Sequence, residues 1–150
     1  MRREDLDAEI LAVRLLMDGD VAGVHRQLGS MGFFDPDDEE IEPQAVYEHF
    51  HDVTRWYVED RELTVDRALV GQVLIDFGDP RSRHWQLMRR ETMPPQAMLA
   101  RRMEALTLGV LGQLEATANW HRIAREWLFG DAPSTELGEL EQPFHTRAAA

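Results

Sequence analysis

Apolar residues recur every three or four positions along nearly the whole chain, and residues that begin or end helices separate the runs. The first run shows the pattern, with four apolar residues on one helix face: Leu6, Ile10, Val13 and Met17. Almost no segment alternates between apolar and polar residues, so no strand is predicted. The pattern predicts an all-α fold of six or seven helices, packed as an irregular bundle.

Residues typical of helix ends set the predicted boundaries. The candidates are Asp5 and Gly19 for the first helix, Asp20 and Gly32 for the second, Pro43 for the third, Thr64 for the fourth, and Asn119 and Gly130 for the last. The longest predicted helix covers roughly residues 95–116. It carries one of the cleanest apolar stripes of the chain: Leu99, Met103, Leu106, Val110 and Leu114. Such a stripe normally faces a core.

The chain has 150 residues, enough for one domain with a hydrophobic core. We expect a single helical domain over residues 1–130, followed by an irregular tail over residues 131–150, where the periodicity is weak. The absence of cysteine excludes disulfides, thiolate metal sites and a cysteine nucleophile.

The formal net charge is −12, and all 16 basic residues are arginine. Such an acidic chain lacks the basic surface of a nucleic-acid-binding protein. The N-terminal residues lead into no apolar signal sequence, and no run approaches the roughly 18 apolar residues of a membrane span. We therefore expect a soluble, cytoplasmic protein without a transmembrane segment, for which contact with a membrane surface is left open.

One triplet, Asp76-Phe77-Gly78, matches the magnesium-binding triplet of protein kinases. In kinases this aspartate follows a strand and a catalytic loop, whereas residues 65–75 of this chain have a helical pattern. We therefore favour a structural interpretation, in which Phe77 lies in the core and Gly78 ends the helix.

No other group of residues has the spacing of a catalytic, cofactor or metal site. The six histidines lack the i, i+4 spacing with which one helix face holds a metal: His25, His49, His51, His84, His121 and His145. Acidic residues crowd positions 35–42 without the glycine turn and terminal glutamate of a calcium loop. Solvent-exposed or half-buried structural histidines and a solvated acidic loop are the favoured interpretations, and docking of the loop on a basic partner is the alternative.

Arginines concentrate between positions 81 and 102, where Glu91 is the one acidic residue. We call them the arginine island; its members are Arg81, Arg83, Arg89, Arg90, Arg101 and Arg102. As a functional patch they would face lipid headgroups, a phosphorylated ligand or an acidic partner surface. The alternative, which we favour, is a set of surface arginines paired with the abundant carboxylates.

Two groups of large side chains are assigned to the core. The four tryptophans fit core packing better than a ligand cage or an interface: Trp56, Trp85, Trp120 and Trp127. A methionine-rich stretch fits either adaptable packing around a ligand or an ordinary core, which we prefer: Met88, Met93, Met98 and Met103.

Several strings together resemble the C-terminal helical region of the AarF/UbiB family of atypical kinase-like proteins, in particular its bacterial members. They occupy residues 15–25 (LLMDGDVAGVH), 31–34 (MGFF), 78–82 (GDPRS), 87–90 (LMRR), 93–95 (MPP), 106–114 (LTLGVLGQL) and 116–128 (ATANWHRIAREWL). The resemblance covers roughly residues 5–142, and its most specific part is 106–128.

The resemblance implies the helical part of a protein-kinase-like fold, in a family implicated in ubiquinone or other isoprenoid-lipid metabolism, several members of which are thought to hydrolyse ATP. The family handles ATP with a Lys-x-Gly-Gln motif, a nucleotide-contacting lysine, a catalytic-loop aspartate and an Asp-Phe-Gly triplet. This chain has no lysine, no catalytic-loop segment precedes the matching region, and the Asp76 triplet lies downstream of the family's metal ligand. We therefore expect ATP and magnesium to bind only where the missing kinase core is present.

Three functions remain open. The preferred one is a non-catalytic helical module, encoded separately or cut from a longer chain, which packs on a kinase-like core in trans or on another protein, or interacts through the arginine island. The second is part of an ATP-using kinase-like protein linked to isoprenoid-quinone or lipid metabolism, although the chain alone is predicted to be inactive. The third is a helical bundle that binds a lipid or small ligand.

Overall fold

The structure, a computed structural model, describes residues 2–148. Within them lie eight α-helices and one two-stranded sheet. The elements are α1 (Arg3–Met17), α2 (Val21–Met31), α3 (Pro43–Val58), β1 (Leu63–Thr64), α4 (Arg67–Gly78), α5 (Trp85–Met88), α6 (Pro95–Leu114), β2 (Thr117–Ala118), α7 (Trp120–Phe129) and α8 (Glu136–Ala148). The predicted all-α class is confirmed, with one helix more than expected.

Several helix ends follow the predicted chemistry. The side chains of Asp20 and Asn119 each accept a hydrogen bond from a backbone N–H three residues further on, at 2.8 and 3.1 Å. Gly32 and Gly130 follow α2 and α7 with φ of 86° and 74°, in the left-handed region that glycine adopts readily. Pro43 is the first residue of α3. These predicted ends are confirmed because caps act through neighbouring residues.

Two predicted caps are wrong. Arg2 rather than Asp5 precedes α1, and the Asp5 carboxylate accepts hydrogen bonds from Arg2. Thr64 lies in β1, and Asp66 caps α4 by accepting a 2.8 Å hydrogen bond from the Leu69 N–H. In both places a second polar residue lies within three positions of the predicted cap, so composition alone does not select between them.

A short antiparallel sheet joins two distant parts of the chain. Leu63 pairs with Ala118, and Thr64 pairs with Thr117. The two threonine hydroxyls are 2.7 Å apart. The sequence predicted no strand here because two residues are too few to show alternation.

The third helix lies at the centre of the fold, where it packs against α1, α2, α4 and α7. Two clusters of buried side chains flank it. The first involves α1, α2 and α3 and includes Leu16, Val24, Leu28, Phe33, Phe34 and Val46. The second involves α3, α4 and α6 and consists of Val53, Trp56, Val65, Val73 and Leu108. Burial of this apolar surface is the main stabilising contribution to the fold.

The apolar stripe of α6 does not face the core. Its five residues and the adjacent Met98 are between 50% and 69% exposed. We call these six side chains the α6 apolar face: Met98, Leu99, Met103, Leu106, Val110 and Leu114. From residue 99 to residue 114 the face is about 22 Å long, at 1.5 Å per residue. The buried residues of α6 are instead Ala97, Leu108 and Gly112.

The opposite side of α6 explains this orientation. Arg101 and Glu104 point into the fold, with side chains only 12% and 17% exposed. Gly112 approaches α4 so closely that an added Cβ would lie 2.5 Å from a methyl carbon of Val70. The helix therefore packs on the fold through small residues and an ionic cluster. Its apolar periodicity shows that it has an apolar face, but not which of its faces another element covers.

The irregular tail predicted for residues 131–150 is wrong for α8, which covers Glu136–Ala148; residues 149 and 150 lie outside the described part. The Thr135 hydroxyl accepts a 3.0 Å hydrogen bond from the Gly138 N–H, in the manner of an N-cap. Three large side chains of this helix are exposed: Leu137, Leu140 and Phe144. The apolar repeat of this segment is too short to predict a helix, and the cap at Thr135 was the available sign of where the helix begins.

The tryptophans divide between core and surface. Trp56 is 9% exposed, and the half-buried Trp120 donates a 3.0 Å hydrogen bond to the Leu63 carbonyl. Trp127, two turns further along α7, is 66% exposed, so its assignment to the core is wrong. Two residues can share a helix face although a neighbouring element covers only one end of that face.

Candidate functional site

Arg81 and Arg83 of the arginine island lie at the surface and pair with carboxylates. Arg81 binds Asp79 at 2.8 Å, and Arg83 binds Asp52 of α3 at 2.7 Å. The two arginine side chains are 74% and 61% exposed. Water and salt screen such pairs, so they orient the side chains more than they stabilise the fold.

Arg90 of the island holds the acidic loop. It binds Asp38 at 2.8 Å and also pairs with Glu40. Ile41 of the same loop is buried, with 3% of its surface exposed. Part of the negative charge at positions 35–42 is therefore matched by an arginine of the same chain.

The remaining members of the island differ in exposure. Arg89 and Arg102 are exposed and take part in no ion pair within the described residues. Arg101 is turned into the protein, so its assignment to an anion-facing surface is wrong. Neighbouring arginines in a helix lie about 100° apart, which separates Arg101 from Arg102.

Arg101 forms the centre of a buried ionic cluster. Its guanidinium lies 2.6 Å from a carboxylate oxygen of Glu9 and 3.0 Å from one of Glu104. Burial raises the pKa of both glutamates, although the nearby Arg101 opposes this effect. Burial also raises the pKa of Tyr57, beside Glu104, well above its usual value. Arg101 Nε and one oxygen of each glutamate are buried without a hydrogen-bond partner among the described residues.

The triplet that resembles a kinase metal ligand is built into the fold at a helix end. Asp76 is 4% exposed, and its carboxylate accepts hydrogen bonds from Gln72 at 2.9 Å and from Ser82 at 3.0 Å. Gly78 is the last residue of α4, as the structural interpretation predicted. Phe77 is 37% exposed and lines a cavity, so its assignment to the core is wrong.

Two histidines form a polar cluster next to Asp76. His49 and His84 are 6% and 7% exposed, with ring centroids 5.0 Å apart. His49 Nδ1 lies 3.1 Å from the Glu91 carboxylate, and His84 Nε2 lies 2.8 Å from the Asp52 carboxylate. The predicted solvent-exposed or half-buried state is wrong for these two histidines, which are buried because they pair with carboxylates 42 and 32 residues away.

The hydrogen bonds of His49 indicate a protonated imidazole. Its second nitrogen, Nε2, lies 2.9 Å from the backbone carbonyl of Asp76. The Asp76 carbonyl can only accept, and an ionised Glu91 carboxylate also accepts, so these two contacts suit a ring that donates from both nitrogens. Burial lowers the pKa of His49, but the hydrogen bond and charge of Glu91 outweigh this effect, and the pKa is raised above its usual value. A histidine engaged in this way holds its neighbours rather than acting as a base.

A cavity of about 240 Å³ lies beside this histidine and opens to solvent. Its apolar wall consists of Phe33, Phe50, Val53, Phe77, Trp85, Met88 and Met93. Its polar wall includes His49, Glu91, Thr92 and Arg101. A concave apolar site with a few convergent polar groups is the usual form of a small-molecule site.

His25, His51 and His121 lie outside this cluster. His25 contacts the Ile41 carbonyl, and His51 stacks on Tyr47. The side chain of His145 lies outside the described part of the chain. Among the described residues, no three His, Asp or Glu side chains are placed to hold a metal ion. Within the same residues, every helix is too short or too polar to cross a membrane.

Comparison with known proteins assigns neither a family nor a function to this chain. No family model matches the chain, and neither a curated protein nor a solved structure matches it. The resemblance to the AarF/UbiB C-terminal region therefore stays a prediction.

Sequence reasoning missed Glu91 and the cavity. In the sequence, Glu91 stands out only as the one acidic residue between positions 81 and 102. A single carboxylate among arginines is the signal that could have pointed to a specific partner. Met88 and Met93 belong to the methionine-rich stretch, and both line the cavity. The first two methionines of the stretch therefore fit the interpretation as a ligand site, which the sequence left as the alternative to an ordinary core.

Proposed function

We propose that this chain is a non-catalytic helical module that packs, through the α6 apolar face, on a kinase-like core of the AarF/UbiB type. The observation that carries the proposal is the exposure of six large apolar side chains in one stretch of a 20-residue helix. Soluble monomers rarely leave contiguous apolar patches of this kind open to water.

The distribution of charge on α6 supports an external partner. Arg101 and Glu104 are on the side that the rest of the fold covers. Arg102 is the one exposed charged residue of the helix, and arginine is enriched at protein interfaces. A helix that buries charges and exposes leucine, methionine and valine is stabilised when another surface covers its apolar side.

Neighbouring residues of α4 enlarge this surface. Leu74 and Phe77 are 51% and 37% exposed. Both border a shallow groove together with Ala105 and Leu108 of α6. The surface offered to a partner therefore includes parts of two helices, which suits the packing of a further helix into the groove between them.

The choice of a kinase-like core as the partner rests on the resemblance. Its most specific part, residues 106–128, contains three residues of the α6 apolar face: Leu106, Val110 and Leu114. A chain without lysine has no ammonium to hold nucleotide phosphates, and arginine does not replace it as a point charge. Any ATP chemistry of the assembly would belong to the partner.

Light scattering after size exclusion tests the proposal with a purified AarF/UbiB-type kinase core that lacks its own C-terminal helices. We expect a one-to-one complex with the intact chain. Leu106→Glu places a charge within the α6 apolar face and should abolish the complex, because burying an unpaired carboxylate is costly. Ala22→Glu adds the same charge at an exposed position of α2, away from the α6 apolar face, and should leave most of the binding intact.

Two outcomes would overturn the proposal. One is the absence of a complex between the intact chain and the core at tens of micromolar. The other is a stable homodimer of the isolated chain that Leu106→Glu disrupts, because a second copy would then be the natural cover of the α6 apolar face.

A further inference from the structure

We infer that the cavity beside His49 is a binding site for a small aromatic molecule that carries one hydrogen-bond donor, which Glu91 accepts. This inference does not depend on the packing of α6 proposed above. It goes beyond it by assigning a ligand class to the neighbouring cavity, which shares Phe77 with the surface offered to a partner.

The size of the cavity selects the size of the ligand. An apolar cavity of about 150 Å³ is large enough to hold benzene. The cavity here measures about 240 Å³, so it has room for one ring with a substituent. It is smaller than the roughly 300 Å³ at which sites for drug-sized ligands begin. Long lipids are therefore poor candidates.

The lining selects an aromatic ligand. Four aromatic rings and two methionines face the space: Phe33, Phe50, Phe77, Trp85, Met88 and Met93. Aromatic rings favour offset or edge-to-face contact with another ring, and methionine sulfur also contacts rings favourably. Phe77 is 37% exposed, and a ring in the cavity would cover part of it.

Glu91 selects the polar group of the ligand. Its side chain is only 11% exposed, and among the described residues His49 is the one side chain that hydrogen-bonds to it. An ionised carboxylate has about four acceptor positions, so the contact with His49 leaves capacity for another donor. A ligand hydroxyl or amine can supply that donor.

The His49 contacts keep Glu91 in place. Its ring bridges Glu91 and the Asp76 carbonyl, and Asp76 is itself held by Gln72 and Ser82. The acceptor is thus oriented before the ligand arrives, which lowers the entropic cost of binding. His49 pairs with Glu91, and Arg101 of the same wall pairs with Glu9 and Glu104, so the site suits a neutral ligand such as a phenol.

Two probes of the same shape test the inference: p-cresol, which has a hydroxyl, and p-xylene, which has a methyl group in its place. Binding is followed by NMR of methionine methyl groups labelled with carbon-13. Met88 and Met93 line the cavity, whereas Met98 and Met103 belong to the α6 apolar face and act as internal controls. We expect saturable shifts at the first pair alone, with p-cresol at least about tenfold tighter than p-xylene.

Variants locate the site. Glu91→Gln should reduce the preference for p-cresol to less than about threefold, because a charge-assisted hydrogen bond becomes a neutral one. Glu48→Gln, at an exposed carboxylate of α3, should leave the preference unchanged. Gly78 lines the cavity, and an added Cβ there meets no atom within 4 Å, so a leucine can be introduced without a clash at its Cβ. Because its side chain would take up space that the ligand needs, Gly78→Leu should abolish binding.

The inference is overturned if p-xylene binds as tightly as p-cresol, or if the two pairs of methionines shift alike. It is also overturned if Gly78→Leu, with its helical circular dichroism retained, binds p-cresol as the unchanged chain does. The comparison of the two probes uses the unchanged chain, so it decides the matter even if a variant fails to fold.

Discussion

Arg101 of α6 lies 2.6 Å from Glu9 of α1, and this contact fixes the side of α6 that faces the protein. The two side chains are 12% and 11% exposed, so both charges are largely removed from water. Arg101 lies on the side of the helix away from Leu106 and Val110, which are 62% and 55% exposed. The inward ion pair and the outward apolar face are therefore two results of one helix orientation.

Removal of Arg101 should strongly destabilise the fold. Arg101→Met leaves Glu9 and Glu104 buried without their cation, and breaking a buried pair in this way costs about 3–5 kcal/mol. Arg102→Met changes the adjacent, exposed arginine and should alter the free energy of unfolding by less than about 0.5 kcal/mol. Urea unfolding followed by circular dichroism measures both, and equal effects would contradict the burial of Arg101.

Truncation of leucines on the two sides of α6 should have very unequal effects on stability. Leu108 is 1% exposed, so Leu108→Ala should lower the free energy of unfolding by about 2–5 kcal/mol. Leu106 is 62% exposed, so Leu106→Ala should change it by less than about 0.5 kcal/mol. Thermal unfolding of the two variants checks the orientation, and a larger loss for Leu106→Ala would show that the stripe is the buried face.

The ion pair of His49 should make stability depend on pH. The folded-state pKa of His49 is raised above its usual value of 6.5, so the folded protein binds this proton more tightly than the unfolded chain. The resulting stabilisation is complete below about pH 6.5 and is lost as the pH rises through the folded-state pKa. The advantage of the unchanged chain over His49→Gln should therefore shrink as the pH is raised from about 6 towards 8.

Urea unfolding at a series of pH values measures this advantage. His51→Gln provides the control, because His51 stacks on Tyr47 and does not contact Glu91. An advantage over His49→Gln that stays constant across the series would show that the proton on His49 does not contribute to folding.

Titration of the isolated chain with Mg-ATP should give no detectable heat. Without lysine, the chain has no ammonium group that can contact the terminal phosphates of the nucleotide. Isothermal titration with a magnesium-only blank provides the measurement. Binding tighter than about 100 μM, equivalent to about −5.5 kcal/mol, would contradict a non-catalytic module.

Local patterns predicted much of the helical structure. Asp20, Asn119, Gly32 and Gly130 act at helix ends because a cap needs only its own chain neighbours within a few positions. The same reasoning failed where two candidate caps stood close together, as at Thr64 and Asp66. It failed again at α8, whose apolar repeat is short.

The candidate site was much less accessible to sequence reasoning. The members of the arginine island are close in sequence, yet Arg90 reaches the acidic loop while Arg101 reaches α1. Glu91 meets a histidine from α3 across 42 positions. Contacts of this length depend on how whole helices pack, and a local spacing rule does not contain that information.

Taken alone, the amino-acid sequence determined an all-α chain, several of the places where its helices begin and end, and the lack of a lysine for nucleotide phosphates. These properties depend on residue type and on neighbours within one or two turns. Only the tertiary structure decided that α6 turns Arg101 and Glu104 inward and its apolar stripe outward, and that Glu91, His49 and several aromatic side chains line one cavity. The physical reason is that burial is a property of pairs of surfaces, and an amphipathic pattern describes just one surface of each pair.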